Sequence, residues 1–189
     1  VAAPVRTSNP TEEPVTLAEA KAHLRVDFPD ADAYIGALIT TARVTAEERL
    51  ERTLVHTPWR LTLDGFPTAI KLPMPPIVTV ESVQYRDEDG DWVELAAQDY
   101  VVDTINEPGF VVPAPGARWP AVGPGINGVR VNYTAGYGAT GSSVPAPIRH
   151  WMLLAIGDMY HLRNRSSEKA AVPQHFADSL LDPYRIWST

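Results

Sequence analysis

The stretch Val129–Arg165, VRVNYTAGYGATGSSVPAPIRHWMLLAIGDMYHLRNR, constrains the fold more than any other part of this chain. It reads as a strand, a glycine-rich loop and an apolar helix. Val129, Val131 and Tyr133 alternate with Arg130, Asn132 and Thr134, the period-two pattern of a strand with one covered face. Gly136 to Ser143 holds too many glycines and small polar residues to continue that strand. Pro147 suits the first turn of a helix, where its missing N–H costs nothing, and helix is predicted from about Ile148 to Asn164. Ile148, Met152, Ala155, Ile156 and Met159 form one stripe at helical spacing. Trp151, Leu153 and Leu154 lie off that stripe, and no position between Trp151 and Ile156 is polar. Such a helix needs cover on more than one side. Other helices of the same chain or a neighbouring subunit would both serve, and the pattern by itself favours neither.

The rest of the chain divides around this stretch. Residues 1–14 hold three prolines and little that packs, and read as a flexible or extended arm. Residues 15–52 read as N-terminal helices. Thr16 and Glu19 have capping-box spacing before a short helix, Leu17 to Arg25. Asp30 or Asp32 is placed to cap a second helix reaching about Arg52, with Ile35, Leu38, Ile39, Ala42, Ala46 and Leu50 inward. Arg43, Glu47, Glu48 and Glu51 fall on its far side, expected to be a solvated face.

Between residues 53 and 135 the period changes to two. Trp59, Leu61 and Leu63 alternate with polar neighbours, as do Val78 and Val80, then Val83 and Tyr85. The phase slip at Glu81-Ser82 predicts a bulge or two short strands. Asp87 to Asp91 is a turn leading to Trp92–Leu95; further strands are expected at Tyr100–Val102 and Phe110–Val112. Five or six short strands joined by Pro/Gly turns give a small antiparallel sheet or sandwich. Residues 136–189 then hold the loop, the long helix and a C-terminal segment, with a last helix from Gln174 to Leu181 stopped by Pro183. The fold class is therefore α+β: a helical core, made by the N-terminal helices and the long C-terminal-half helix, with an inserted β region.

Three separated motifs carry a resemblance. They are V-T-L-A-E-A-K-A-H-L-R-V-D at Val15–Asp27 with the Tyr34–Arg43 helix, V-R-V-N-Y-T-A-G-Y-G followed by V-P-A-P-I, and L-L-D-P-Y-R at Leu180–Arg185. In this order the chain resembles the head–tail connector (adaptor) proteins of long-tailed double-stranded DNA bacteriophages and gene transfer agents, over most of residues 15–187. The resemblance implies a structural virion protein. It would form a homo-oligomeric, twelve-fold ring at the neck, between the portal protein and a head-closure or tail-side protein, and DNA would pass through without specific binding. It implies location in the virion neck, with the host cytoplasm as the site of assembly. Trp151 and Leu154 are then expected at or near subunit contacts, and Leu181, Tyr184, Arg185, Ile186 and Trp187 at the portal. For those C-terminal aromatics the alternative is that they fold back on their own core. The long β insertion has no residue-by-residue counterpart in the resemblance.

Other chemistries find little support. The chain has no cysteine, so thiolate metal sites and thiol nucleophiles are excluded. A net charge of −7 argues against general DNA binding. No apolar run approaches a membrane span, and the first ten residues do not read as a signal peptide. Gly136–Gly141 fits G-x-G-x-x-G, but the prolines delay the helix and no βαβ unit surrounds it; Gly123–Gly128 matches equally well with no helix after it. A loop requiring positive φ explains the glycines more simply. The five histidines have no H-x-x-x-H spacing, the acidic turn lacks the EF-hand pattern, and no G-x-S-x-G surrounds Ser142 or Ser143. No cofactor, metal or catalytic residue is assigned. The alternatives carried forward are a phage-encoded hydrolase with a site between β region and helix, and a monomeric β-domain binding module in which Trp59, Trp92 or Trp119 stacks on a ligand such as a glycan.

Overall fold

The computed structural model describes residues 4–162 and 175–186. The chain divides into two compact units, one of residues 1–10 and 56–137, the other of residues 11–55 and 138–189.

The first unit is all β. Its strands are β1 (Val5–Arg6), β2 (Thr57–Leu63), β3 (Ile70–Leu72), β4 (Ile77–Arg86), β5 (Trp92–Glu94), β6 (Tyr100–Asp103), β7 (Gly109–Pro113) and β8 (Val129–Ala135). One antiparallel sheet has the order β1-β2-β8-β4-β5 and a second has the order β3-β7-β6. The alternation read from the sequence puts Val129, Val131 and Tyr133 on one face; all three are fully buried, and so is Ala135. Tyr133 stands opposite Trp59 on β2 and Val80 on β4. Its ring belongs to a core with Leu61, Ile70, Leu72, Val83 and Val111, drawn from both sheets. Its hydroxyl donates to the Pro73 carbonyl at 2.9 Å, so burial leaves no orphaned phenol. The predicted phase slip is real: the β4–β8 register shifts between Ile77 and Thr79 and again between Val80 and Ser82. At the far end of β4 the Asp87 carboxylate accepts the backbone N–H groups of Asp89 at 3.0 Å and Asp91 at 2.9 Å, closing the hairpin into β5.

Two strands were not anticipated. β3 is three residues between proline-rich turns, too short to display a period, and it is identified only by pairing with β7. β1 lies in the stretch read as an arm; Val5 and Arg6 pair with Arg60 and Trp59 at the edge of the larger sheet.

The second unit is helical: α1 (Leu17–Leu24), α2 (Asp32–Leu50), α3 (Ala146–His161) and α4 (His175–Ser179), with single 3-10 turns at Pro29–Ala31, Gly141–Ser143 and Asp182–Tyr184. The capping box opens α1 as expected: the Glu19 N–H donates to Thr16 Oγ1 at 3.2 Å, and the Thr16 N–H donates back to Glu19 Oε2 at 2.8 Å. The helices α1, α2 and α3 pack on one another, so the first and last parts of this unit share a core that includes Ala20, Ile35, Ile39, Ala46, Leu50, Ile148, Met152 and Ile156. The α+β class, a helical core with inserted antiparallel β structure, is what the sequence pattern predicts.

Two details of α2 correct that reading. Neither Asp30 nor Asp32 caps it; Ala31 is the N-cap, and Asp32 instead pairs with Lys21 Nζ at 2.5 Å. The supposed solvated face is also not one face. Arg43 and Glu47 are each only 2% exposed, whereas Glu48 and Glu51 do face solvent.

Candidate functional site

The helical unit contains most of the residues expected to bind other molecules. On α3, Ile148, Trp151, Met152 and Ile156 are buried, while Leu153, Leu154 and Ala155 are half-buried. Pro147 sits in the first turn and Pro145 precedes it, so the helix begins without a side-chain cap. Trp151, 5% exposed, is covered by its own chain: its indole N–H donates to Asp178 Oδ1 at 3.3 Å, and the Arg49 guanidinium lies 5.2 Å from the ring centroid. Arg49 also pairs with Asp178 Oδ1 at 2.5 Å, so one carboxylate on α4 joins α2 and α3. Leu154 keeps accessible area; Trp151 keeps almost none.

The C-terminal segment is tied to the end of α2. Arg52 Nε donates to the Tyr184 carbonyl at 2.5 Å, and the Ile186 N–H donates to the Leu50 carbonyl at 3.3 Å. Leu181 is fully buried, and Tyr184, Arg185 and Ile186 are half-buried. Leu181 is thus covered within its own chain, while Tyr184, Arg185 and Ile186 keep accessible area. Trp187 lies outside the described residues.

Between α3 and the segment leading into α1 runs an open apolar groove lined by Val15, Ala146, Pro147, Arg149, His150, Leu153 and Leu180. Arg149 fixes this edge: its Nε donates to the Pro14 carbonyl at 2.9 Å, and its other nitrogen pairs with Glu19. Backbone and side-chain hydrogen bonds from Thr16, with the nearby Arg149 charge, hold the Glu19 carboxyl below its ordinary pKa despite partial burial. Neither Arg149 nor Arg52 stood out in the sequence. Each acts on a carbonyl more than a hundred residues distant, and no local pattern marks such a partner.

Among the described residues no group of three His, Asp or Glu side chains is placed to hold a metal. In the glycine-rich loop only Gly136 has positive φ, at 134°. Gly141 is small for another reason: a Cβ there would collide with the backbone of Glu13 and Pro14. Of the three tryptophans weighed as stacking platforms, Trp59 is 7% exposed in the core and Trp119 stacks on Phe66 with centroids 4.6 Å apart. Trp92 is taken up by arginines.

Residues 14–91 match the family model described as phage gp6-like head–tail connector protein. No curated protein matches the chain. Solved structures share its fold, among them three chains from gene transfer agent particles. A chain in the neck of an empty gene transfer agent particle, computed with C6 symmetry, is 24% identical with a TM-score of 0.83, covering 99% of this chain and 97% of that one. A chain in the virion of a native gene transfer agent particle is 24% identical with a TM-score of 0.81, covering 98% and 96%. A chain in the neck of a native particle, computed with C12 symmetry, is 25% identical with a TM-score of 0.77, covering 100% and 97%. Residues 14–91 thus match a head–tail connector family model, and along its whole length the chain shares the fold of chains from the neck and virion of gene transfer agent particles.

Proposed function

We propose that this protein is a head–tail connector of a phage or gene transfer agent particle. It is a structural component of the virion neck, forming a ring between the portal vertex and the tail-side or head-closure protein and leaving a conduit for DNA. The observation that carries the reading is the family match at residues 14–91 together with fold similarity along the whole length to chains from particle necks.

In this reading Leu154 lies at the side-to-side contact between subunits, which is heterologous and closes into a ring. Its half-buried side chain has area left to lose. Trp151 backs that contact from inside. The C-terminal segment docks on the portal through Tyr184, Arg185, Ile186 and Trp187. Buried Leu181 anchors the segment to its own subunit and presents those residues.

Co-sedimentation with the portal protein tests this. The full chain should pellet with portal assemblies, and a Tyr184→Ala/Ile186→Ala variant should lose about tenfold or more in affinity, the scale of hot-spot truncation. A chain ending at Asp182 should bind no better. Equal binding by all three forms removes the docking role from the C-terminal segment. Failure of the full chain to bind any portal removes the connector reading itself.

A further inference from the structure

The outward face of the larger sheet carries a diagonal of arginines. Arg60 on β2 pairs across with Asn132, Arg130 on β8 with Gln84, and Arg86 on β4 with Trp92 on β5. All alternate with buried neighbours such as Leu61, Val131 and Tyr85's strand mate Val83, so the three guanidiniums share one face. Arg130 and Arg86 crowd one indole, with Cζ atoms 3.9 Å and 4.7 Å from the Trp92 centroid. Arg60 Nε donates to Asn132 Oδ1 at 3.0 Å and Arg86 Nη1 to the Gly90 carbonyl at 2.8 Å. Among the described residues none of the three forms an ion pair with a carboxylate. Partial burial, then the charges of Arg60 and Arg86, push the Arg130 pKa down.

The opposite charge is displayed on the same hairpin. Glu88, Asp89 and Asp91 are exposed at the β4–β5 tip and form no ion pair among the described residues. Asp87 is engaged with the tip's own backbone and holds it in shape. One copy therefore presents three unpaired guanidiniums and three unpaired carboxylates, and it does not pair them with each other.

We propose that the arginine face of one copy receives the acidic β4–β5 tip of the next, so that neighbours join head to tail through this charge pairing. The inference rests on the ring reading above and names a surface that would build it. A second copy fits better than a nucleic acid, because phosphates approaching Arg86 would also meet the adjoining carboxylates, whereas a copy brings carboxylates to the guanidiniums and guanidiniums to the carboxylates. With a net charge of −7, copies repel at long range, and a local directional contact of opposite charges selects one orientation.

Charge exchange on the full chain, assembled with portal, tests the pairing. Arg130→Glu and Asp89→Arg should each lower ring yield about tenfold, and the double variant should recover most of it, the compensation expected of complementary charges. Circular dichroism separates misfolding from failed assembly. Because the chain has no cysteine, Arg60→Cys/Asp89→Cys gives a second readout: oxidation of rings should produce a ladder of covalent oligomers. Rings that form normally with both single variants, and yield only monomer on oxidation, overturn this pairing and leave the connector reading standing. Loss of duplex DNA retention in Arg130→Glu with unchanged assembly overturns it in favour of a nucleic-acid surface. A wild-type chain that forms no ring overturns both.

Discussion

Arg43 and Glu47, one turn apart on α2, form an ion pair with Nη1 and Oε2 separated by 2.9 Å and side chains only 3% and 2% exposed. Glu47 Oε1 also accepts the Leu54 N–H at 3.1 Å, and Arg43 Nε reaches Glu13 Oε2 at 2.7 Å. The pair is thus a junction between α2, the chain entering α1 and the chain leaving α2. Glu47→Ala leaves a buried guanidinium with half its partners and a buried amide with none. A loss of about 3–5 kcal/mol is expected on urea unfolding. Arg43→Met/Glu47→Leu should cost much less than the single change, because no buried charge remains.

Glu19 ties α1 to Arg149 on α3, and its depressed pKa has a sign that can be checked. A carboxylate favoured in the folded state adds stability above its unfolded pKa and loses it as pH falls through the lower folded value. The gap in urea midpoint between wild type and Glu19→Gln should therefore be open at pH 7 and close as pH drops below the ordinary carboxylate value of 4.5. A gap that is constant from pH 7 to the acid limit contradicts this. Thr16→Ala, which removes the other half of the capping box, should cost about 1 kcal/mol.

The last segment offers two contrasting substitutions. The Arg49–Asp178 pair is 42% and 52% exposed, so Asp178→Asn should change global stability by no more than about 1 kcal/mol. Leu181 is fully buried, and Leu181→Ala should cost about 2–5 kcal/mol. Hydrogen exchange should show faster opening of α4 in both. Equal global losses would mean that the ion pair, and not the leucine, holds this segment.

Burial raises the Tyr133 pKa well above the ordinary 10.0. The proton leaves the unfolded chain first, so stability falls as pH rises above about 10. Phenolate absorbance should show one tyrosine that ionises only with unfolding, and Tyr133→Phe should remove that step. Loss of the Pro73 hydrogen bond in this variant should cost roughly 1 kcal/mol.

The order of elements was legible from one dimension. Period two over Val129–Thr134, the capping box at Thr16 and the apolar run Trp151–Ile156 are local signals, and each names its element because side-chain direction repeats with backbone geometry. The phase slip in β4 was readable for the same reason. The motif at Val15–Asp27 lies within the segment that matches the connector family model. Strands β1 and β3 were not legible, being too short to repeat a pattern; only pairing defines them.

Burial was decided in three dimensions. Arg43 and Glu47 look like surface residues on a helical wheel. They are inside because Glu13, from the chain before α1, brings a carboxylate to the Arg43 guanidinium, and Leu54, just past the end of α2, brings an N–H to Glu47. The letters left open what covers Trp151; Arg49 and Asp178 of its own chain lie against its ring and its indole N–H. The arginine diagonal needs three strands in register before Arg60, Arg86 and Arg130 share a face. Periodicity specifies which way a side chain points along its own element, since that follows from bonded geometry. What it points at is a contact between distant segments, settled only when the whole chain has balanced the desolvation of each charge against the partner it finds.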